Sequence, residues 1–214
     1  MYNPTTKECV WRSTNVTNFV CPSPGHDKRS CKSDQFSLTY KATPGSDSAE
    51  KITILANATD DVQISLDITR AANAPGWKIG KGPKSGTQYY GPDVEKPEGF
   101  LFHSFWPRTQ CSGTIIYKGR AITTNGHGMY VHAVMGMRPN LIASRWNFAN
   151  FQSNEHGGVS AIQMELTTLD TYGLKGAGSG GVKVNFGSLV LGGKLVSVTT
   201  EVTLPGEQQP EQGK

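Results

Sequence analysis

Apolar and polar residues alternate along much of the chain. Phe36, Leu38 and Tyr40 fall on one face of the run 35–40, with Gln35, Ser37 and Thr39 on the other. Lys51–Ala56 and Val62–Thr69 repeat the pattern, as does Val159–Leu166. Side chains of an extended strand point alternately to opposite faces, so this period of two predicts half-buried antiparallel strands. Further strands are predicted at Cys111–Tyr117, Ala121–Thr124, Val182–Phe186 and Leu189–Val198. Lys118-Gly119 separates the first two, and Gly192-Gly193 sits within the last as a hairpin turn. Leu141–Phe151 is ambiguous with a short helix, but Trp146 to Phe151 alternates and favours a strand.

The punctuation agrees. Thr43-Pro44-Gly45-Ser46-Asp47 and the stretch from Asn57 to Asp61 have turn chemistry. Residues 71–99 form a long Gly/Pro-rich connection carrying Trp77 and the pair Tyr89-Tyr90; a loop of that length is functional or clamped by its aromatics. Eight or more short strands without an amphipathic helix predict an all-β antiparallel barrel or sandwich, and about eight strands can enclose one small ligand. The expected organisation is an irregular N-terminal segment over 1–34 with an edge strand, a β domain over 35–203, and a disordered tail over 204–214.

Composition narrows the function. The 214 residues include 25 Gly and 12 Pro, which suits a loop-rich β protein. A net charge of +4 is mildly basic, but no block concentrates it, so nucleic acid is not an expected partner. The first fifteen residues are polar with no apolar signal region, and no run approaches the length of a membrane helix, so a cytoplasmic location is expected. Cys9, Cys21, Cys31 and Cys111 match no zinc or CxxC spacing and read as free thiols.

The chemistry concentrates between Phe102 and Ser153. That stretch holds two of the four Trp, three of the five His and three of the five Met. Trp106, Trp146 and Phe148 line an apolar cavity with Arg108 at a ligand's polar head, or else Trp106 and Trp146 plug a barrel end with Arg108 stacked on a ring. Met129 and Met137 fit a lipid chain or fill a core. His132 is a head-group contact or a buried hydrogen-bonded residue, and Asn147 is a further polar candidate. His103, His127, His132 and His156 have no ligand spacing, so no metal or other cofactor is expected. Ser104 and Ser112 lack a nucleophile context, and the Gly-rich run from Lys175 to Gly181 reads as a turn, not a phosphate loop. No conventional catalytic residues are assigned.

Several segments resemble the survival factor 1 family of fungal lipocalin-like proteins. They are Lys78-Ile79-Gly80 with Tyr89-Tyr90-Gly91, and Phe105-Trp106-Pro107-Arg108 with Gly113-Thr114-Ile115. Gly126 to Ala133 with Gly136-Met137-Arg138-Pro139 is similar to its central signature, followed by Arg145 to Phe148, Asn150 to Ser153 and Val182 to Val198. The resemblance implies a calycin-type barrel or half-barrel, matching mainly the first of two consecutive barrels, so a shortened form is expected. It also implies non-enzymatic binding and transfer of a sphingolipid such as ceramide, linked to survival under oxidative stress. Transient contact with Golgi or ER membranes, or a nuclear location, goes with that. Two other readings stay open: a cofactor-free pericyclase acting on a polyketide, and a scaffold completed by a partner chain or by self-association. The ligand-binding candidates are Trp106, Arg108, Met129, His132, Met137, Trp146, Asn147 and Phe148.

Overall fold

A computed structural model of the chain describes residues 1–22, 29–42, 50–79, 86–91, 93, 95–172 and 181–203, with backbone alone for 200–203. The expected turn at 43–47, most of the Gly-rich run 175–181 and the tail 204–214 lie outside the described residues. Twelve strands are present among those described, with one short α-helix and two 3-10 turns, Glu155–Gly157 and Asp170–Tyr172. They are β1 (Cys31–Lys32), β2 (Phe36–Lys41), β3 (Lys51–Thr59), β4 (Val62–Arg70), β5 (Trp77–Lys78), β6 (Thr87–Tyr90), β7 (Gly99–Tyr117), β8 (Arg120–Met135), β9 (Ala143–Ser153), β10 (Val159–Thr168), β11 (Lys183–Leu191) and β12 (Lys194–Thr203). Helix α1 (Pro139–Ile142) precedes β9, which begins two residues later than the ambiguous Leu141–Phe151 run predicted. The fold is all-β, and every strand pair with a resolved register is antiparallel.

The chain divides into two compact units. The first comprises Met1–Arg70 and Gln110–Gly126, the second Ala71–Thr109 and His127–Lys214. In the first unit the strands run β1-β2-β3-β4 and then onto the C-terminal half of β7, with β8 beyond it. Phe36, Leu38 and Tyr40 stand opposite Ala56, Ile54 and Ile52, which in turn face Ile64, Leu66 and Ile68. The predicted alternation therefore builds one apolar face. Ile52 on it is fully buried, while most of its neighbours are half-buried. Lys118-Gly119 turns the chain with φ of 50° and 76°, the twist-matched geometry of a two-residue hairpin.

The second unit holds the main core. Its four-stranded sheet has the order β12-β11-β10-β9. One row of side chains crosses this sheet as Phe148, Met164 and Phe186, and the next as Asn150, Ile162 and Ser188. Against it pack Trp77, Ile79 and Phe105, with Met129, Val131 and Leu195 at the margin. A second cluster joins Tyr90, Leu101, Ile142 and Leu166, with Met137 against it. The 71–99 connection is clamped by its aromatics: β5 and β6 pair with β7, Trp77 stacks on Phe105 at 4.5 Å, and Tyr90 is buried. The strand β7 starts well before the predicted Cys111. Its first half carries bulk on both faces, so burial on both sides removes the alternation that would have announced it.

Candidate ligand-binding site

All eight candidate residues fall in the second unit, but they do not form one lining. Trp106 is buried, with its ring 5.1 Å from that of Tyr130. Arg108 is buried as well. Its Nη1 donates to the Val159 carbonyl at 3.1 Å and to Gln152 Oε1 at 3.4 Å, and its Nη2 to Asn154 Oδ1 at 2.9 Å. No carboxylate reaches it among the described residues. Gln152 and Ser160 extend this network to the Pro107 carbonyl at 3.2 and 2.5 Å. The guanidinium thus fastens β7 to the end of β9 and the start of β10, and both terminal nitrogens are committed to the protein. Gly158, at φ +105°, makes room: a Cβ there would stand 2.9 Å from Arg108 Nε.

Met129 packs at the margin of the larger core cluster and Met137 against the smaller one. The His132 ring meets Phe102 edge-on at 5.8 Å. Trp146 and Phe148 lie on β9, an edge strand, opposite Leu166 and Met164. They share the core-facing side of the sheet yet remain 37% and 48% exposed. Asn147 projects from the opposite side, where its Nδ2 donates to Glu165 Oε1 at 3.2 Å. The structure therefore groups Trp146 and Phe148, and sets Asn147 apart from them.

Three residues outside that set bring polar atoms into the core. His103 is 2% exposed; its ring lies near-parallel to Phe105 at 5.6 Å and 5.1 Å from Phe186. Trp77 and Ser188 are each 8% exposed. Trp77 stacks on the same Phe105, and Ser188 follows Phe186 by two residues on the same face of β11. Among the described residues, His103 Nδ1, Trp77 Nε1 and Ser188 Oγ have no hydrogen-bond partner. Burial pushes the His103 imidazole down to about 4, so it is neutral at pH 7. The sequence signal for these three was slight: a polar residue in the FHSFW run, a Trp in a loop, and a Ser on the apolar face of a strand.

Among the described residues no three His, Cys, Asp or Glu side chains gather as metal ligands. The first unit carries an open groove of about 470 Å³, lined by Phe36, Leu55, Ala56, Ile64 and Ile116 beside polar residues.

Comparison with known proteins places this geometry in context. The profile of the Svf1 family matches residues 1–212. A ceramide-binding protein svf1 of Aspergillus fumigatus is 35% identical over 173 residues, covering 81% of this chain and 40% of that protein. The Schizosaccharomyces pombe ceramide-binding protein svf1 is 33% identical over 195 residues, covering 91% and 45%. This chain spans less than half the length of these curated relatives. Among solved structures, a putative AttH from Nitrosomonas europaea superposes with a TM-score of 0.53 at 15% identity, over 85% of this chain and 50% of that one. The fold is the lipocalin-like antiparallel β architecture.

Proposed function

The chain belongs to the Svf1 family, and from that membership we propose that it binds an amphipathic lipid, a sphingolipid such as ceramide, and carries it without altering it. The observation that carries the reading is the pair Trp146 and Phe148, whose rings stay substantially exposed on the core-facing side of an edge strand. Acyl chains laid along that row toward Met164 and Phe186 would leave water at about 25 cal/mol per Å² of apolar surface. The names of the relatives, which are ceramide-binding proteins, point to the same ligand class.

The test is native mass spectrometry of the purified chain, with extraction of whatever lipid travels with it. The reading expects a stoichiometric sphingolipid on the wild type and its loss from a folded Trp146→Ser/Phe148→Ser variant. A wild-type chain that takes up no ceramide from donor vesicles refutes it. Trp106→Ala is a poor probe by comparison, because that ring is packed on Tyr130 and its loss reports on folding. The same proposal puts the chain in the cytoplasm with transient contact at ER or Golgi membranes, and links it to survival under oxidative stress. Cell fractionation and a peroxide survival assay on a deletion strain check those two points.

A further inference from the structure

We propose that His103, Trp77 and Ser188 form the polar end of the lipid site that begins at Trp146 and Phe148, and that they select an uncharged head group bearing hydroxyl or amide functions. This inference rests on the lipid-binding reading above and specifies what that site recognises. Three polar atoms without partners among the described residues border one apolar core: Trp77 and His103 stack on Phe105, His103 also meets Phe186, and Ser188 stands opposite Ile162 on the face of β11 that carries Phe186. Leaving one such group buried and unpaired costs about 1–3 kcal/mol, so three together are an unfavourable feature of the free protein. A ligand that supplies their partners relieves that cost.

The donor and acceptor set fits a neutral group. Trp77 Nε1 can only donate, Ser188 Oγ can donate or accept, and His103 Nδ1 serves in either role according to tautomer. An amide carbonyl and a hydroxyl together satisfy all three. A charged head group is disfavoured, because the surrounding rings among the described residues provide no counter-ion. Arg108, the buried cation of the same unit, has both terminal nitrogens bonded to the protein. Phe148 at the exposed sheet edge, Met164 and Phe186 form one row across three strands, so the edge lies about 10 Å from the strand that carries Phe186, which His103 packs against. Ser188 occupies the adjoining row with Ile162 and Asn150.

The experiment titrates the whole chain with ceramide, with sphingosine as the cationic analogue and with ceramide phosphate as the anionic one. Wild type, His103→Phe and Ser188→Ala are compared, and thermal midpoints are recorded without lipid. The expected result is at least tenfold preference for ceramide over both charged analogues, with ceramide affinity falling roughly 5- to 100-fold in each variant. The lipid-free midpoint of Ser188→Ala should hold or rise, since the substitution removes an unpaired buried hydroxyl. A wild type that binds no ceramide removes the lipid-binding proposal itself. Normal ceramide binding by both folded variants leaves that proposal standing and overturns this one. Preference for ceramide phosphate, or a lower lipid-free midpoint in Ser188→Ala with unchanged binding, overturns it as well. The second outcome would assign the hydroxyl to an internal or water-bridged hydrogen bond.

Discussion

His103 should make the lipid-free protein labile in mild acid, by an amount that follows from its burial. The ring contacts are Phe105 and Phe186, with no carboxylate among the described residues to stabilise an imidazolium. Its folded value is about 4 against an ordinary 6.5. Between those limits the unfolded chain binds a proton that the folded chain refuses. Stability contributed by this group is therefore complete above about pH 6.5 and is lost as pH falls through 4. At 1.36 kcal/mol per tenfold, linkage gives losses of about 1 kcal/mol at pH 6, about 2 at pH 5 and about 3 at pH 4.

The assay is urea unfolding from pH 8 to pH 4 for the wild type and for His103→Phe, whose difference cancels the carboxylates titrating in both. The gap between the two stability curves should be constant above pH 7 and shift by about 3 kcal/mol in favour of the Phe variant by pH 4. Curves that stay parallel to within about 0.5 kcal/mol over that range would refute the reasoning, because an imidazole so insensitive to protonation is either solvated or paired with an acceptor.

Other consequences are more local. Burial works against ionisation of Glu50, but hydrogen bonds from Tyr40, Arg29 and Arg70 outweigh it and hold the carboxyl at about 2. Its stabilising effect is present above about pH 4.5 and lost as pH falls through 2, so calorimetry should find Glu50→Gln weaker by about 1–3 kcal/mol at pH 7 and indistinguishable at pH 2. Gly158→Ala meets both a left-handed φ and the Arg108 guanidinium, and should cost about 1–3 kcal/mol in chemical denaturation. Leu166→Ala empties a fully buried position and should cost about 2–5 kcal/mol in the same measurement.

The sequence was most legible where a strand buries one face. Residues 36–40, 51–56, 62–69 and 159–166 alternate, and β2, β3, β4 and β10 cover them. The first half of β7 was not legible, because Leu101, His103 and Phe105 fill one face while Trp106 and Arg108 fill the other. A strand buried on both sides has no period of two to detect. Helix α1 is a single turn, too short for a helical period to register.

The same physics explains the split within the candidate site. Alternation along β9 already separates Asn147 from Trp146 and Phe148, since neighbours in a strand cannot share a face. What a face packs against depends on register between distant segments, and that is absent from local pattern. Arg108 two residues after Trp106 resembles a ligand pair, yet register delivers the guanidinium to Gln152, Asn154 and Val159, some fifty residues on. His103 shows the converse. In the chain it is one polar residue among aromatics, and alternation alone would assign it to whichever face hides a satisfied core histidine. Only the packing of Phe105 and Phe186 around it reveals a buried nitrogen with nothing to bond among the described residues. Hydrophobic pattern encodes which atoms are hidden, whereas recognition depends on which hidden atoms are left unpaired. The second property belongs to the assembled core, and local pattern carries no trace of it.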